Sequence, residues 1–382
     1  MAPLEIIDSR EDLQAYLQAA IKLEHSTIPP YLFALYSIQP GKNIDAYNII
    51  RVVVVEEMLH LTLAANLLNS IGGTPDLTGP EFVPDYPGHL NTGETDFEVG
   101  LERLSEHAIK TFLKIERPAD LPDKKAADAG AGKMYDKILY SRPVDLATVR
   151  SNVDKKILPA VKLPDDGGSD VHWHFHSIGE FYAAIKAGIG DLCKSMGEDK
   201  LFTGDPARQV DPGAYFSGGG QIYVVDNKKT AIDAIDLISD QGEGYDMGVY
   251  DNDGDVSHYY RFQQLLLGKY YECAPEEDKP NNPTGPALTV DWESVYPIKC
   301  NPKMVDFDKS KELTVAARSF NKTYKDFLAK LNKTFNGEPA LLGPLIKGMM
   351  KDLKSAATSL MRNPLPGEDN IHAGPTFQMN EV

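Results

Sequence analysis

Cysteine is scarce in this chain. Cys193, Cys273 and Cys300 are the three among 382 residues, odd in number, far apart and without a C-x-x-C pair. That excludes a disulfide scaffold and a thiolate zinc site. Apolar runs of bilayer length are also lacking. The longest, around Ile49 to Val55, is interrupted by Arg51 and followed by Glu56 and Glu57, well short of the roughly 20 apolar residues a span needs. No block of Lys and Arg is present either, and 39 basic against 56 acidic side chains give a formal charge of -17. A nucleic-acid surface, which must replace the counterions of phosphate, is therefore excluded. The opening Met1-Ala2-Pro3-Leu4-Glu5 has neither the basic nor the apolar stretch of a secretory leader, so a cytoplasmic location without membrane contact is the expectation.

What is present is helical periodicity. A composition of 42% hydrophobic and 25% charged residues is that of a globular protein. Leu13, Tyr16, Leu17, Ala20, Ile21 and Glu24 fall on one stripe of a helix starting near Ser9, and Pro29-Pro30 predicts a kink in it. A second helix spans Ile44 to Ile71 and ends at Gly72-Gly73. Further helices are expected over Leu101 to Ile115, Ser177 to Met196, Thr230 to Gly242, Asp255 to Tyr270, Ser310 to Phe335 and Leu341 to Met361. The expected class is mainly α: a four-helix bundle core with long loop-rich insertions and extra C-terminal helices. Residues 1-275 would form the main helical domain, with an insertion at about 74-176, and 276-382 a loop and helical extension packed on it.

Chemistry enters with Glu57-Met58-Leu59-His60, an E-x-x-H step inside an apolar stripe. Three residues along a helix place both side chains on one face, where a carboxylate oxygen and an imidazole nitrogen can share a metal. A charge left unpaired there would cost several kcal/mol. A metal or a buried cation could compensate it, and Arg261 is the best candidate for the ion-pair alternative. A carboxylate-bridged dimetal site takes one Glu from each of two helices and Glu-x-x-His from each of two others. Glu24 fits the first role, and Glu57 with His60 the second. Glu180 fits the third, although Ser177-Ile178-Gly179-Glu180 also reads as a capping box. His258 completes the set with Glu243, preferred for its reach, or with Asp255.

Other groupings are weaker. Asp251-Asn252-Asp253-Gly254-Asp255 opens like a calcium loop, but Val256 and Phe262 stand where glycine and a bidentate Glu are needed. His172, His174 and His176 would share one side of a strand, as a second metal site or as solvated loop histidines. His25, adjacent to Glu24 but turned about 100° from it, reads as a satisfied histidine or an outer partner of the site.

The phrases Leu23 to Leu32, Val55 to His60, Ser177 to Tyr182, Gln241 to Gly244 and Ser257 to Phe262, with the late Phe320 to Tyr324 and Ala373 to Phe377, resemble the ferritin-like family that includes the iminophenyl-pyruvate dimer synthase domains of bacterial pigment pathways. The resemblance implies a ferritin-like core with two non-haem iron ions, manganese or another divalent metal being alternatives. It also implies an oxidoreductase that uses dioxygen or peroxide to oxidise or couple a small aromatic or amino-acid-derived metabolite of secondary metabolism. Imine coupling of the dimer synthase kind is one form of this, and iron storage without an organic substrate is the rival. Partners would be the small-molecule substrate and the oxidant, with a homodimer left open. Asp255 in place of Glu departs from the dimetal pattern, and haem is neither supported nor excluded.

Overall fold

The computed structural model describes residues 7–90, 97–118, 161–162, 170–171, 175, 177–215, 219–244, 248–272, 278–368 and 370–381. Its elements are α1 (Arg10–Ser37), α2 (Ile44–Ser70), α3 (Glu106–Ile115), α4 (Ile178–Met196), α5 (Glu198–Leu201), α6 (Lys228–Glu243), α7 (His258–Leu267), α8 (Lys311–Thr334), α9 (Leu342–Gly348) and α10 (Lys354–Met361). A π-helical turn, Met349–Leu353, joins the last two, so the expected helix over Leu341 to Met361 is continuous but locally widened. Among the described residues the only sheet is the two-residue antiparallel pair β1 (Val161–Lys162) and β2 (Asp170–Val171). His172, His174 and His176 lie outside the described residues.

Helices α1 and α2 form the most closely packed pair, with α4 against α1, α6 against α2, and α4 against α6. These four make a bundle whose centre is the apolar face of all of them. Helix α3 packs on α7 beside the bundle, and α8 to α10 cover a further side of α1. Five helices start with a side-chain cap that meets an orphan amide: Ser9, Ser105, Ser177, Asn227 and Ser310 each accept from the backbone three residues on.

The proline pair does not end α1. Pro30 has no N–H to offer the carbonyl of Ser26, four residues back. The phenol of Tyr86 donates to that carbonyl instead, at 2.8 Å. The Ser26 hydroxyl donates to the Leu23 carbonyl at 2.6 Å, so the turn before the prolines is cross-tied and the helix runs through to Ser37.

The outer face of α2 anchors the segment after α5. Asn66, wholly buried, donates to the carbonyls of Val210 and Tyr223 (both 2.8 Å) and accepts from Val210 N–H (2.9 Å). Asn69 donates to the carbonyl of Phe335 beyond α8 at 2.7 Å. These bonds fix the stretch that brings Gly219 against Glu56, whose Oε1 accepts the Gly219 N–H at 2.9 Å. Replacement Asn66→Ala strands three backbone groups in the interior and should lower unfolding stability by about 2–4 kcal/mol. Urea denaturation followed by circular dichroism checks this, and a loss below about 0.5 kcal/mol would show that the anchor is dispensable.

Candidate metal centre

Glu24, Glu56, Glu57, His60, Glu116 and His258 converge between α1, α2, the end of α3 and the start of α7, each 4% exposed or less. Periodicity accounts for the first of them: Glu24 lies on the inward stripe of α1, and Glu57 and His60 one turn apart on α2. Helix α7 begins at His258, so its ring enters from the helix start. Glu116 is the residue immediately after α3.

The distances form a regular pattern. Glu57 Oε1 lies 3.6 Å from His60 Nδ1 and 3.0 Å from His258 Nδ1. Glu24 Oε2 is 3.7 Å from His60 Nδ1, and Glu116 Oε2 is 3.5 Å from His258 Nδ1. The two rings stack with centroids 5.2 Å apart. Each carboxylate has its other oxygen held by a hydroxyl: Tyr182 donates to Glu24 Oε1 at 2.6 Å, Thr27 to Glu57 Oε2 at 2.7 Å, and Tyr31 to Glu116 Oε1. One oxygen per carboxylate therefore remains to face inward, and that of Glu57 is shared by both rings.

The rings are oriented from behind. His60 Nε2 is 3.0 Å from Gln241 Oε1, and His258 Nε2 is 3.1 Å from Glu56 Oε2. Both partners present acceptor oxygens, so Nε2 carries a hydrogen and Nδ1 is the nitrogen that faces the carboxylates, through a proton in the metal-free protein and through its lone pair when a metal takes the proton's place. The Nδ1 of His258 is buried without a hydrogen-bond partner, although a carboxylate oxygen is 3.0 Å away. An imidazole nitrogen directed between carboxylate oxygens is an arrangement that can hold a metal, and the candidate ligand atoms of Glu57, His60 and His258 all lie within 4.8 Å of one another. Oxygen-rich donors with imidazole suit iron, manganese or zinc.

Without a metal, protons do the compensating. Burial opposes charge on His60, yet the carboxylates of Glu24 and Glu57 raise its pKa to about 10. His258 is likewise lifted well above the usual histidine range against its burial, by Glu116, Glu56 and Glu57. Burial resists ionisation of Glu57, but the imidazoles of His258 and His60 beside it hold its pKa down to about 2. Glu24 and Glu116 are raised, first by burial. Arg261 stands 3.7 Å from Glu56, so it backs the residue behind His258.

The remaining expected ligands separate. Glu243 lines the small enclosed cavity together with Glu24, Glu57, His60 and Glu116, and accepts from Gly179 N–H at 2.8 Å. Its carboxylate oxygens sit 2.5 Å from where a Cβ on Gly179 would be, so a side chain there would push the Glu243 carboxylate from this position. Glu180, one residue on, is half-buried and absent from the cavity wall, with its N–H capped by Ser177. Asp255 is exposed, near Gly219 on the outer side of Glu56. Glu116 takes an inward place that sequence spacing had not indicated; its signal was the Ile109, Phe112, Glu116 stripe. His25 bonds Tyr324 through Nε2 at 2.7 Å, and burial lowers its pKa to about 3.

A family model described as Ferritin-like matches residues 17–267, and the chain belongs to that family. Over 98% of its length it is 25% identical to dichlorochromopyrrolate synthase of Lentzea aerocolonigenes. Over 74% it is 25% identical to 2-imino-3-(indol-3-yl)propanoate dimerase of Chromobacterium violaceum. The matches span 36% and 25% of those longer proteins. A ferritin-like protein from Caulobacter vibrioides has the same fold, with a TM-score of 0.54 at 22% identity, over 92% of this chain and 96% of that one. No helix among the described residues is long and apolar enough to cross a membrane.

The geometry makes the ligands separable by substitution. Glu57→Ala, His60→Ala and His258→Ala should each lower bound metal at unchanged helix content; so should Glu116→Ala and Glu243→Ala, whereas Glu180→Ala and Asp255→Ala should retain it. Metal analysis of the purified variants reads this, and full occupancy in the first three would place the site elsewhere. Protons on His60 and His258 compete with the metal, so rising pH removes the competitor and tightens binding. Between pH 6 and 8 the apparent affinity should rise about tenfold per unit for each proton displaced; a flat profile would contradict the assignment of Nδ1 as ligand.

Proposed function

We propose that this chain is a non-haem di-iron oxidoreductase that uses dioxygen or peroxide to oxidise or couple a small aromatic or amino-acid-derived metabolite. The observation that carries the reading is the pair of inward Nδ1 atoms sharing Glu57 Oε1, each also facing a carboxylate of its own. Glu24, Glu57, His60, Glu116 and His258 would hold the metal, with Glu243 beside them at the cavity wall. Iron in such a set would supply the redox equivalents for reaction with dioxygen or peroxide.

The residues around the set supply order, dryness and protons. Tyr182 and Tyr31 keep their protons: burial and the carboxylates beside them hold both phenols well above the usual tyrosine range. They can therefore donate hydrogen bonds to Glu24 and Glu116 throughout a reaction while fixing the carboxylate orientations. Ile115, Ile178 and Ile238 form the apolar part of the cavity wall, which excludes bulk water. The cavity measures about 10 Å³, room for about one water-sized molecule. An organic substrate would approach it from its edge, where the start of α4 and the end of α6 meet.

The substrate class rests on the two relatives, one named for dimerising an imino acid bearing an indole ring and the other for making dichlorochromopyrrolate. Both relatives are much longer than the part this chain matches, 36% of one and 25% of the other, so the activity of the chain itself is what the experiment measures. Protein loaded anaerobically should hold two ferrous ions and consume dioxygen or peroxide at a rate that depends on added 2-imino-3-(indol-3-yl)propanoate or a related aromatic imine. Mass spectrometry should find an oxidised or coupled product. Iron accumulating as mineral far above two per chain, with no organic product and no substrate dependence, would establish storage instead.

A further inference from the structure

Apart from Glu243 at the cavity wall, the two halves of the centre are built alike on the inside. Each has one imidazole Nδ1, one carboxylate whose outer oxygen accepts from a tyrosine hydroxyl, and a share in Glu57 Oε1. They differ behind the rings. His258 Nε2 meets a carboxylate oxygen of Glu56 at 3.1 Å. His60 Nε2 meets the amide oxygen of Gln241 at 3.0 Å.

We propose that the two metal positions are unequal, and that Glu56 and Gln241 are the positioning residues that make them so, with the His258–Glu116 half filling first and the His60–Glu24 half second. The inference rests on the dimetal reading above. A carboxylate behind an imidazole draws the Nε2 hydrogen outward and pushes electron density toward Nδ1, strengthening it as a donor. A neutral amide does this more weakly.

The two backing residues also differ in how firmly they are held. Glu56 is fixed by the Gly219 N–H at 2.9 Å and by Arg261 at 3.7 Å, so its position behind His258 is set from two sides. Gln241 is buried, yet its amide nitrogen has no hydrogen-bond partner. That nitrogen lies 2.8 Å and 3.2 Å from where Cβ atoms on Gly220 and Gly219 would be, so the two glycines leave it space without supplying a bond. His60 thus has a weaker acceptor that is itself less constrained. Partners of this kind change metal affinity by about 10–100-fold, which sets the expected separation between the halves.

Cobalt(II) titration of the metal-free 382-residue chain, followed by visible absorption with chelator competition, reads both positions. The expected result is two ions per chain in two steps separated by roughly 10–100-fold. Glu56→Gln should weaken the tighter step alone, and Gln241→Glu should strengthen the weaker one. Should either backing variant lose helix content, the ligand variants decide: His60→Ala should keep the tight step and His258→Ala only the weak one. Two ions bound with equal affinity, or His60→Ala and His258→Ala retaining ions of the same affinity, would overturn the inequality while leaving the dimetal reading in place. One ion or none in the unmodified protein would overturn both.

Discussion

An ionised Glu57 held between two imidazoles in the bundle interior is the constraint on which the rest of this structure depends. Removed from water and left unpaired, it would cost several kcal/mol. Here the carboxylates and rings of the cluster are matched on both sides: hydroxyls on the outer oxygens, imidazoles on the inner ones, and an amide and a second carboxylate behind the rings. The hydroxyl donors come from α1 and α4, the rings from α2 and α7, and the last inward carboxylate from the end of α3. Bundle packing and site chemistry are one requirement, because shifting any of these elements unpairs a buried charge.

The layers outside the bundle hold that arrangement in register. Asn66 secures the segment that delivers Gly219 to Glu56. Tyr86 takes the carbonyl that Pro30 leaves without an amide donor, so α1 stays helical across the turn between Glu24 and Tyr31. From the C-terminal side, Tyr324 of α8 reaches His25, and its ring packs with Phe320 and Phe377. Residues remote from the buried Glu/His cluster in sequence thus fix the helix that presents its first carboxylate.

Much of this was legible in the sequence where periodicity governs. Glu24, Glu57 and His60 sit on stripes that any 3.6-residue count places inward, and the structure brings His258 to the same cluster. Glu116 was obscured because its helix is only ten residues long and gives way to Arg117-Pro118, which reads as a boundary. Glu180 and Gly179 differ by one residue, about 100° around a helix, and a pattern of acids cannot show that the missing side chain of Gly179 is what admits Glu243. The proline pair marks where a ladder bond is lost; the replacement donor, Tyr86, was not legible because it lies in a loop 56 residues beyond Pro30 in chain numbering. Glu56 was silent for the same reason: its partners, His258, Arg261 and Gly219, are brought to it only by the fold.

The proposed dimetal centre is tested most directly by anomalous X-ray diffraction at the iron edge from crystals of the protein loaded with ferrous iron. Two peaks about 3.5–4 Å apart, both bonded to Glu57 and each to the Nδ1 of one histidine, His60 or His258, are predicted. A single peak, or iron bound away from Glu57 while these side chains remain paired with one another, would contradict it.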